Sequence, residues 1–173
     1  NLTDDYVAIR QEMKQVAEYF DCEVLSEVDE REFYNTLANL RKFCSDRAIM
    51  RAMHFFAETK RAKEETEALK KGDVDGFLRL VNESGLSSAN LLQNLYSNNT
   101  PTEQAIPLAI AISKSILGNK GAVRVHGGGF AGTIQAFIPA EMVKEYKTEM
   151  ERVYGDGACH QMKIRPVGGI EIL

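Results

Sequence analysis

Apolar residues recur at helical spacing through most of the chain. Thr3 or Asp4 is the predicted N-cap of a first helix whose apolar stripe consists of Tyr6, Ile9, Met13, Val16, Ala17 and Phe20. A short strand is predicted over residues 22–28. Residues 30–71 predict two or more further helices, and the charge-rich end of this segment, residues 60–71, is typical of a solvated helix face.

Glycine, aspartate and proline mark the boundaries of the next helices. Gly72 suits the position after a helix end, and Asp73 is predicted to cap a helix whose stripe consists of Val74, Phe77, Leu78 and Val81. A break near Gly85 is expected to separate it from a helix ending at Leu95. The run Thr100-Pro101-Thr102-Glu103 predicts a helix start with a capping box, and this helix ends at Gly118. Pro107 predicts a kink or a late start.

The pattern then changes to strand-like alternation around a glycine-rich loop. Residues 123–125 and 134–138 alternate with period two and contain β-branched side chains, which predicts a hairpin. The loop between them is longer than a minimal turn. Besides a simple turn, it therefore suggests a backbone that approaches a ligand or another chain closely.

The last third of the chain predicts one more helix and a final strand or two. Pro139 is predicted to begin a helix that ends at Gly155. The inward-facing side chains of this helix are Met142, Tyr146, Met150 and Val153. Cys159–Arg165 alternates as a strand, and Gly168-Gly169 turns the chain into a possible strand over 170–172. Because no βαβ alternation is present, we expect one α+β domain over residues 1–173, with a mainly antiparallel sheet and helices on one face.

Composition narrows the class of protein. The chain has 173 residues, of which 44% are hydrophobic and 27% charged, and its net charge is −4. These values are ordinary for a soluble globular protein and argue against nucleic-acid binding. No apolar run approaches the ~20 residues of a membrane span. Widely spaced cysteines at 22, 44 and 159 suit reduced thiols in the cytoplasm. Because the chain opens with Asn1 and is helical almost at once, we interpret it as a piece of something longer.

Several familiar catalytic motifs are missing or incomplete. No phosphate loop of the G-x-x-x-x-G-K-[ST] type, H-E-x-x-H or C-x-x-C occurs, and the histidines lack metal-ligand spacing. No metal site or catalytic residue is therefore assigned. Residues 126–129 spell the H-G-G-G of esterase oxyanion holes, but no G-x-S-x-G follows. Residues 85–89 resemble a kinase phosphate loop, yet the preceding segment is a helical stripe without proline, so we interpret this match as coincidence.

The hairpin loop itself carries a stronger resemblance. Residues 125–133 read V-H-G-G-G-F-A-G-T and are similar to the third motif of the GHMP kinases, which in galactokinases is roughly M-T-G-A-G-F-G-G-C. The glycines at 127, 129 and 132 agree with that motif, as does Phe130. His126, Ala131 and Thr133 depart from it and leave the substrate open.

The resemblance continues in order along nearly the whole chain. Residues 51–61 are similar to the galactokinase R-x-x-H-x-x-x-E-x-x-R helix, with Arg51, His54, Glu58 and Arg61. Gly-Asp at 72–73, Asn-Glu-Ser at 82–84 and Leu-Ser-Glu-Val at 25–28 also match, whereas Gly85 replaces a histidine and residues 96–106 match poorly. Residues 2–10 resemble a segment in which Tyr6 stands for a tyrosine that contacts the sugar.

The resemblance implies the C-terminal domain of a galactokinase, with a ferredoxin-like antiparallel sheet, helices on one face and additional helices. It implies phosphoryl transfer from ATP, with Mg²⁺, to the anomeric hydroxyl of galactose. ATP and Mg²⁺ would be held through an N-terminal domain that this chain lacks and that would pack against it. It assigns sugar binding to Tyr6 and closure of the nucleotide site to Gly127, Gly128, Gly129, Phe130, Ala131 and Gly132.

Two other functions fit the same residues. One is a non-catalytic sensor that binds galactose and ATP, and the other is a GHMP kinase for another sugar or a small alcohol. For Arg51 and Arg124 we expect ion pairs at the surface or at a domain interface. His54 and Glu58, four residues apart, are expected to pair on a helix surface.

Overall fold

The computed structural model describes residues 2–163. Its α-helices are α1 (Thr3–Glu18), α2 (Glu30–Leu40), α3 (Asp46–Lys70), α4 (Val74–Ser87), α5 (Ala105–Leu117) and α6 (Val143–Tyr154). Strands β1 (Ala122–Val125) and β2 (Ile134–Phe137) pair antiparallel, with Val125 opposite Ile134. The predicted hairpin is confirmed, and the mostly helical chain with its small antiparallel sheet is α+β. No helix within residues 2–163 has the length and apolar character needed to cross a membrane.

Local capping fixes several helix boundaries. The Asp73 carboxylate accepts the Gly76 N–H at 2.9 Å, and Ser45 Oγ accepts the Ala48 N–H at 3.1 Å. Gly72 follows α3 with φ of +69°, and Gly118 ends α5 with φ of +56°. The predictions for Gly72, Asp73 and Gly118 are confirmed. They depend only on residues within one helical turn.

The core is divided into two clusters with α4 between them. One cluster joins α1, α2 and α3 through Val16, Phe33, Leu40, Ala52 and Phe56. The other joins α5 and α6 to the hairpin through residues that include Leu117, Tyr146, Met150 and Ile134. Helix α4 contacts both α3 and β1, while α5 contacts both strands. The hairpin is therefore supported from behind by α4 and α5.

Helix α4 also covers the free edge of β1. The Asn82 amide donates to the carbonyl oxygen of Gly121 and accepts the N–H of Val123, both at 3.1 Å. These bonds occupy strand groups that face away from β2. Helix α4 runs unbroken past Gly85, so the predicted break there is wrong. A Cβ at Gly85 would lie 3.1 Å from the Val123 carbonyl oxygen, so this glycine serves close helix–strand packing.

Two predictions for the segment before α2 are wrong. Leu2, without a side-chain hydrogen bond, is the N-cap of α1, so neither Thr3 nor Asp4 caps that helix. The strand predicted over 22–28 is instead a loop with one turn of 3₁₀-helix, Leu25–Glu27. The Glu27 carboxylate accepts the N–H groups of Glu23 and Val24, at 2.9 and 3.4 Å, and this local closure replaces strand pairing.

Three further predictions differ in the second half. Residues 100–103 form a turn, and α5 begins at Ala105, which confirms the late start expected from Pro107 but not the capping box. In that turn the Gln104 amide donates to the Pro101 carbonyl oxygen at 2.7 Å. Val153 is 44% exposed, although Tyr146 and Met150 are buried as predicted. Residues 159–163 are not a strand, and the predictions for 164–173 lie outside the described residues.

Candidate functional site

The glycine-rich loop, residues 126–133, connects β1 to β2 and is held in a curved conformation. The His126 N–H donates to the Thr133 carbonyl oxygen at 2.8 Å and closes its base. Gly127, Gly129 and Phe130 have φ values of +63°, +82° and +60°. A positive φ costs a residue with a side chain about 1–2 kcal/mol, so the Phe130 conformation needs support from its surroundings.

Tyr6 and Asn94 supply that support at the middle of the loop. The Tyr6 hydroxyl donates to the Gly129 carbonyl oxygen at 2.9 Å, and its ring meets the Phe130 ring edge-on with centroids 5.2 Å apart. The Phe130 N–H donates to the Asn94 carbonyl oxygen at 2.6 Å, and Asn94 Nδ2 donates to the Gly128 carbonyl oxygen at 3.2 Å. Gly129 and Phe130 are consequently buried.

The flanks of the loop are exposed on both sides of this buried centre. His126, Gly127 and Gly128 precede it, and residues 131–133 follow it. Within residues 2–163, the N–H groups of Gly127, Gly128, Gly129 and Gly132 have no protein acceptor. A run of such donors on a curved backbone is suited to an anion, because the N–H dipoles converge without side chains in the way. A cleft of about 380 Å³ borders Phe130 and Ala131 and is also lined by Leu2, Ser97 and Thr100.

A buried ion pair positions Asn94 relative to α1, the helix that contains Tyr6. Arg51, whose side chain is 2% exposed, binds Glu12 of α1 at 2.9 Å and donates from Nε to the Leu92 carbonyl oxygen at 3.1 Å. Leu92 ends the π-helical turn Ser88–Leu92, and Asn94 follows two residues later. Glu12, Arg51 and Asn94 thus link α1, α3 and the loop. The expected ion pair of Arg51 is confirmed, but its expected place at the surface or at a domain interface is wrong, because the pair is buried within this chain.

A second polar cluster lies behind the hairpin, between α3, α4 and β1. His54 Nδ1 is 2.8 Å from Ser87 Oγ, and the Ser84 hydroxyl donates to Glu58 at 2.5 Å. Glu58 also pairs with Arg61 and lies 3.8 Å from Arg124, which confirms an ion pair for Arg124. The prediction that His54 and Glu58 pair with each other on the surface is wrong. Helix α4 covers that face of α3, so each side chain bonds to a serine of α4 instead.

Burial lowers the pKa of His54 from 6.5 to about 4, and the nearby Arg124 and Arg61 charges act in the same direction. The unfolded chain therefore binds a proton below pH 6.5 that the folded chain excludes. We expect the stability contribution of neutral His54 to be complete above pH 6.5 and to fall by about 2 kcal/mol by pH 5.

The measurement is the free energy of unfolding of the protein at pH 7.5 and pH 5, compared with that of its His54→Asn variant. The variant should lose less stability than wild type between the two pH values. His160→Gln, which changes an exposed histidine, is the matched control and should keep the wild-type slope. A His54→Asn variant with an unchanged slope would contradict the buried neutral imidazole.

The structure brings together residues that are distant in the sequence. Tyr6 contacts Gly128, Gly129 and Phe130, whereas Gly127, Ala131 and Gly132 lie on the exposed flanks. Sequence reasoning missed Asn94, which lies in a segment without a matching motif. Its only signal was a pair of polar residues, Gln93 and Asn94, among the apolar positions of residues 91–95. Residues 85–89 are helical and form no phosphate-binding loop.

Comparison with known proteins returns galactokinases in both sequence and structure. The chain is 28% identical over 146 residues to the galactokinase of Mannheimia succiniciproducens, covering 84% of this chain and 36% of that protein. Its fold matches the crystal structure of Lactococcus lactis galactokinase complexed with galactose, with a TM-score of 0.63 and 23% identity. That match covers 87% of this chain and 36% of the other. No protein-family model matches the chain.

The chain spans 36% of the length of each of these relatives. The sequence match extends over most of the chain. It therefore includes residues 51–61 of α3 and the glycine-rich loop, which carry the resemblance. The structural match extends over a similar share. The resemblance is therefore confirmed in sequence and in fold: this chain is similar to the galactokinases.

Proposed function

We propose that this chain is the C-terminal domain of an ATP-dependent galactokinase, which transfers a phosphoryl group to the anomeric hydroxyl of galactose in the cytoplasm. The observation that carries the proposal is the glycine-rich loop, with its buried centre against Tyr6 and its unpartnered N–H groups. In this proposal the domain is a ferredoxin-like α+β sandwich with additional helices. The chain alone is inactive because the other part of the site lies on an N-terminal domain.

The loop suits a phosphate-bearing ligand. The N–H groups of Gly127, Gly128 and Gly132 would donate to phosphate oxygens or to the backbone that holds them. A Cβ at Gly128 would lie 2.5 Å from the Tyr6 ring, so a side chain cannot be added there without moving that ring or the loop. ATP supplies the phosphoryl group when bound, while this chain orients and encloses it.

Mg²⁺ is assigned to the proposed N-terminal domain. Within residues 2–163, no group of three or more His, Cys, Asp or Glu side chains is arranged to hold a metal ion. The residue that activates the sugar hydroxyl is assigned to the same domain. This chain would contribute the loop to the nucleotide and Tyr6 to the sugar.

The test is ADP release by the full-length protein with galactose and a panel of other sugars. Turnover with galactose is expected. Absence of turnover with every hexose would contradict the enzyme, and binding of galactose and ATP without turnover would favour a sensor. Turnover with only another sugar or a small alcohol would keep the kinase and change its substrate.

Tyr6→Phe tests the sugar-binding role. Losing the hydroxyl removes one hydrogen-bonding group while the ring contacts with Gly128 and Phe130 remain. We expect the KM for galactose of the full-length enzyme to rise about fivefold to tenfold, the effect of one lost hydrogen bond. Tyr34→Phe is the matched control, since Tyr34 and Tyr6 are both 43% exposed. A KM for galactose that stays unchanged in Tyr6→Phe would show that Tyr6 acts only on the loop.

A further inference from the structure

We infer that Asn94 is a positioning residue, which sets the conformation of the glycine-rich loop for nucleotide binding through its bond to the Gly128 carbonyl oxygen. The inference rests on the proposed function. It adds to the proposed function a residue for which no galactokinase motif was identified in the sequence.

Asn94 holds two consecutive peptide groups of the loop. Its carbonyl oxygen accepts the Phe130 N–H at 2.6 Å, and its Nδ2 donates to the Gly128 carbonyl oxygen at 3.2 Å. The side chain is buried, with 1% of its surface exposed. Gly129, between these two contacts, has no room for a Cβ, which would lie 2.6 Å from Asn94 Nδ2.

The bond to Gly128 decides which way one peptide group faces. In a trans peptide the carbonyl and the following N–H point in opposite directions. With the Gly128 carbonyl turned inward to Asn94, the Gly129 N–H must point away from Asn94, and it has no acceptor within residues 2–163. If this peptide were reversed, the Gly128 carbonyl oxygen would point where the Gly129 N–H now points. That oxygen would repel an anion.

An asparagine at position 94 lowers the stability of the fold. Its Oδ1 is buried and has no hydrogen-bond partner among the described residues. An unpaired buried acceptor is destabilising, whereas an apolar side chain of similar shape avoids that cost. The side chain makes one hydrogen bond in the structure, and that bond goes to the loop. A residue that stabilises the loop conformation at the expense of the core fits a role in binding.

Asn94→Leu separates positioning from packing, because leucine is close to asparagine in shape and cannot donate to Gly128. In the full-length protein we expect ATP affinity, measured by calorimetry, to fall about fivefold to tenfold, the effect of one hydrogen bond. The unfolding temperature should stay the same or rise, and the KM for galactose should stay within about twofold. Asn98→Leu is the control, since Asn98 is exposed in the same segment.

Two results would overturn the inference: wild-type ATP affinity in a folded Asn94→Leu protein, or equal losses for ATP and galactose. If Asn94→Leu does not fold, Asn94→Ala, which keeps the backbone bond to Phe130, is measured against the same criteria. A wild-type protein that binds ATP but turns over no sugar would contradict the proposed enzyme and leave the affinity test decisive for Asn94. A wild-type protein that binds no ATP would contradict both.

Discussion

On the proposed function, replacing Gly129 by alanine should reduce kcat/KM for ATP about a hundredfold. Gly129 has a φ of +82°, and a Cβ there would overlap the Asn94 carbonyl oxygen and lie 2.6 Å from Nδ2. The positive φ costs about 1–2 kcal/mol and the overlap about 1–3 kcal/mol more, since neither backbone can yield freely. A loss near 3 kcal/mol corresponds to about a hundredfold in rate.

Gly127→Ala is the matched control for this prediction. Gly127 also has a positive φ, of +63°, but apart from the adjacent residues no heavy atom of residues 2–163 lies within 4 Å of a Cβ built there. Its substitution should cost only the backbone strain, about 1–2 kcal/mol, and should leave the contact with Asn94 intact. Steady-state kinetics with ATP as the varied substrate distinguishes the two variants. Equal losses would mean that the fit against Asn94 does not shape the loop.

Truncation of Arg51 to alanine should be the most destabilising charge deletion in the described part of the chain, at about 3–5 kcal/mol. Its side chain is 2% exposed, binds Glu12 at 2.9 Å and donates to the Leu92 carbonyl oxygen at 3.1 Å. Burial lowers the pKa of Arg51, and the Glu12 carboxylate opposes that shift. The Arg51→Ala variant leaves the Leu92 carbonyl oxygen unpaired. It also leaves the mostly buried Glu12 carboxylate with Arg47 as its remaining partner.

Arg47→Ala is the comparison variant, because Arg47 binds the same carboxylate from a more exposed position. The Arg47 side chain is 36% exposed, against 2% for Arg51. We expect Arg47→Ala to lower the free energy of unfolding by about 1 kcal/mol, as for a partly solvated ion pair. The readout is the denaturation midpoint of the protein together with, on the proposed function, its affinity for ATP. Arg51→Ala should also weaken ATP binding, since Leu92 leads directly to Asn94, and equal effects of the two variants would contradict this account.

Much of the architecture could be predicted because it depends on short-range patterns. The helices within residues 30–71, the Asp73 cap, the glycine ends of α3 and α5 and the hairpin strands all follow from neighbouring residues. Some of the errors arose where a distant contact decided the outcome. Gly85 resembled a helix break, yet the helix continues because that glycine allows β1 to pack closely.

The buried polar clusters could not be predicted for a related reason. The spacing of Arg51, His54, Glu58 and Arg61 shows that they share one face of a helix, but it does not show what covers that face. In the structure that face is covered by α1, α4 and the π-helical turn. Serine hydroxyls of α4 and a carboxylate of α1 became partners that no local pattern indicates.

The sequence by itself determined the helices, the hairpin and the resemblance to the galactokinases, because periodicity, capping and motif order are properties of neighbouring residues. Only the tertiary structure decided how the glycine-rich loop is held. Tyr6 lies 123 residues before Gly129, and Asn94 lies 34 residues before Gly128. Glycine allows many backbone conformations, and the contacts that select one of them come from parts of the chain that only folding brings together.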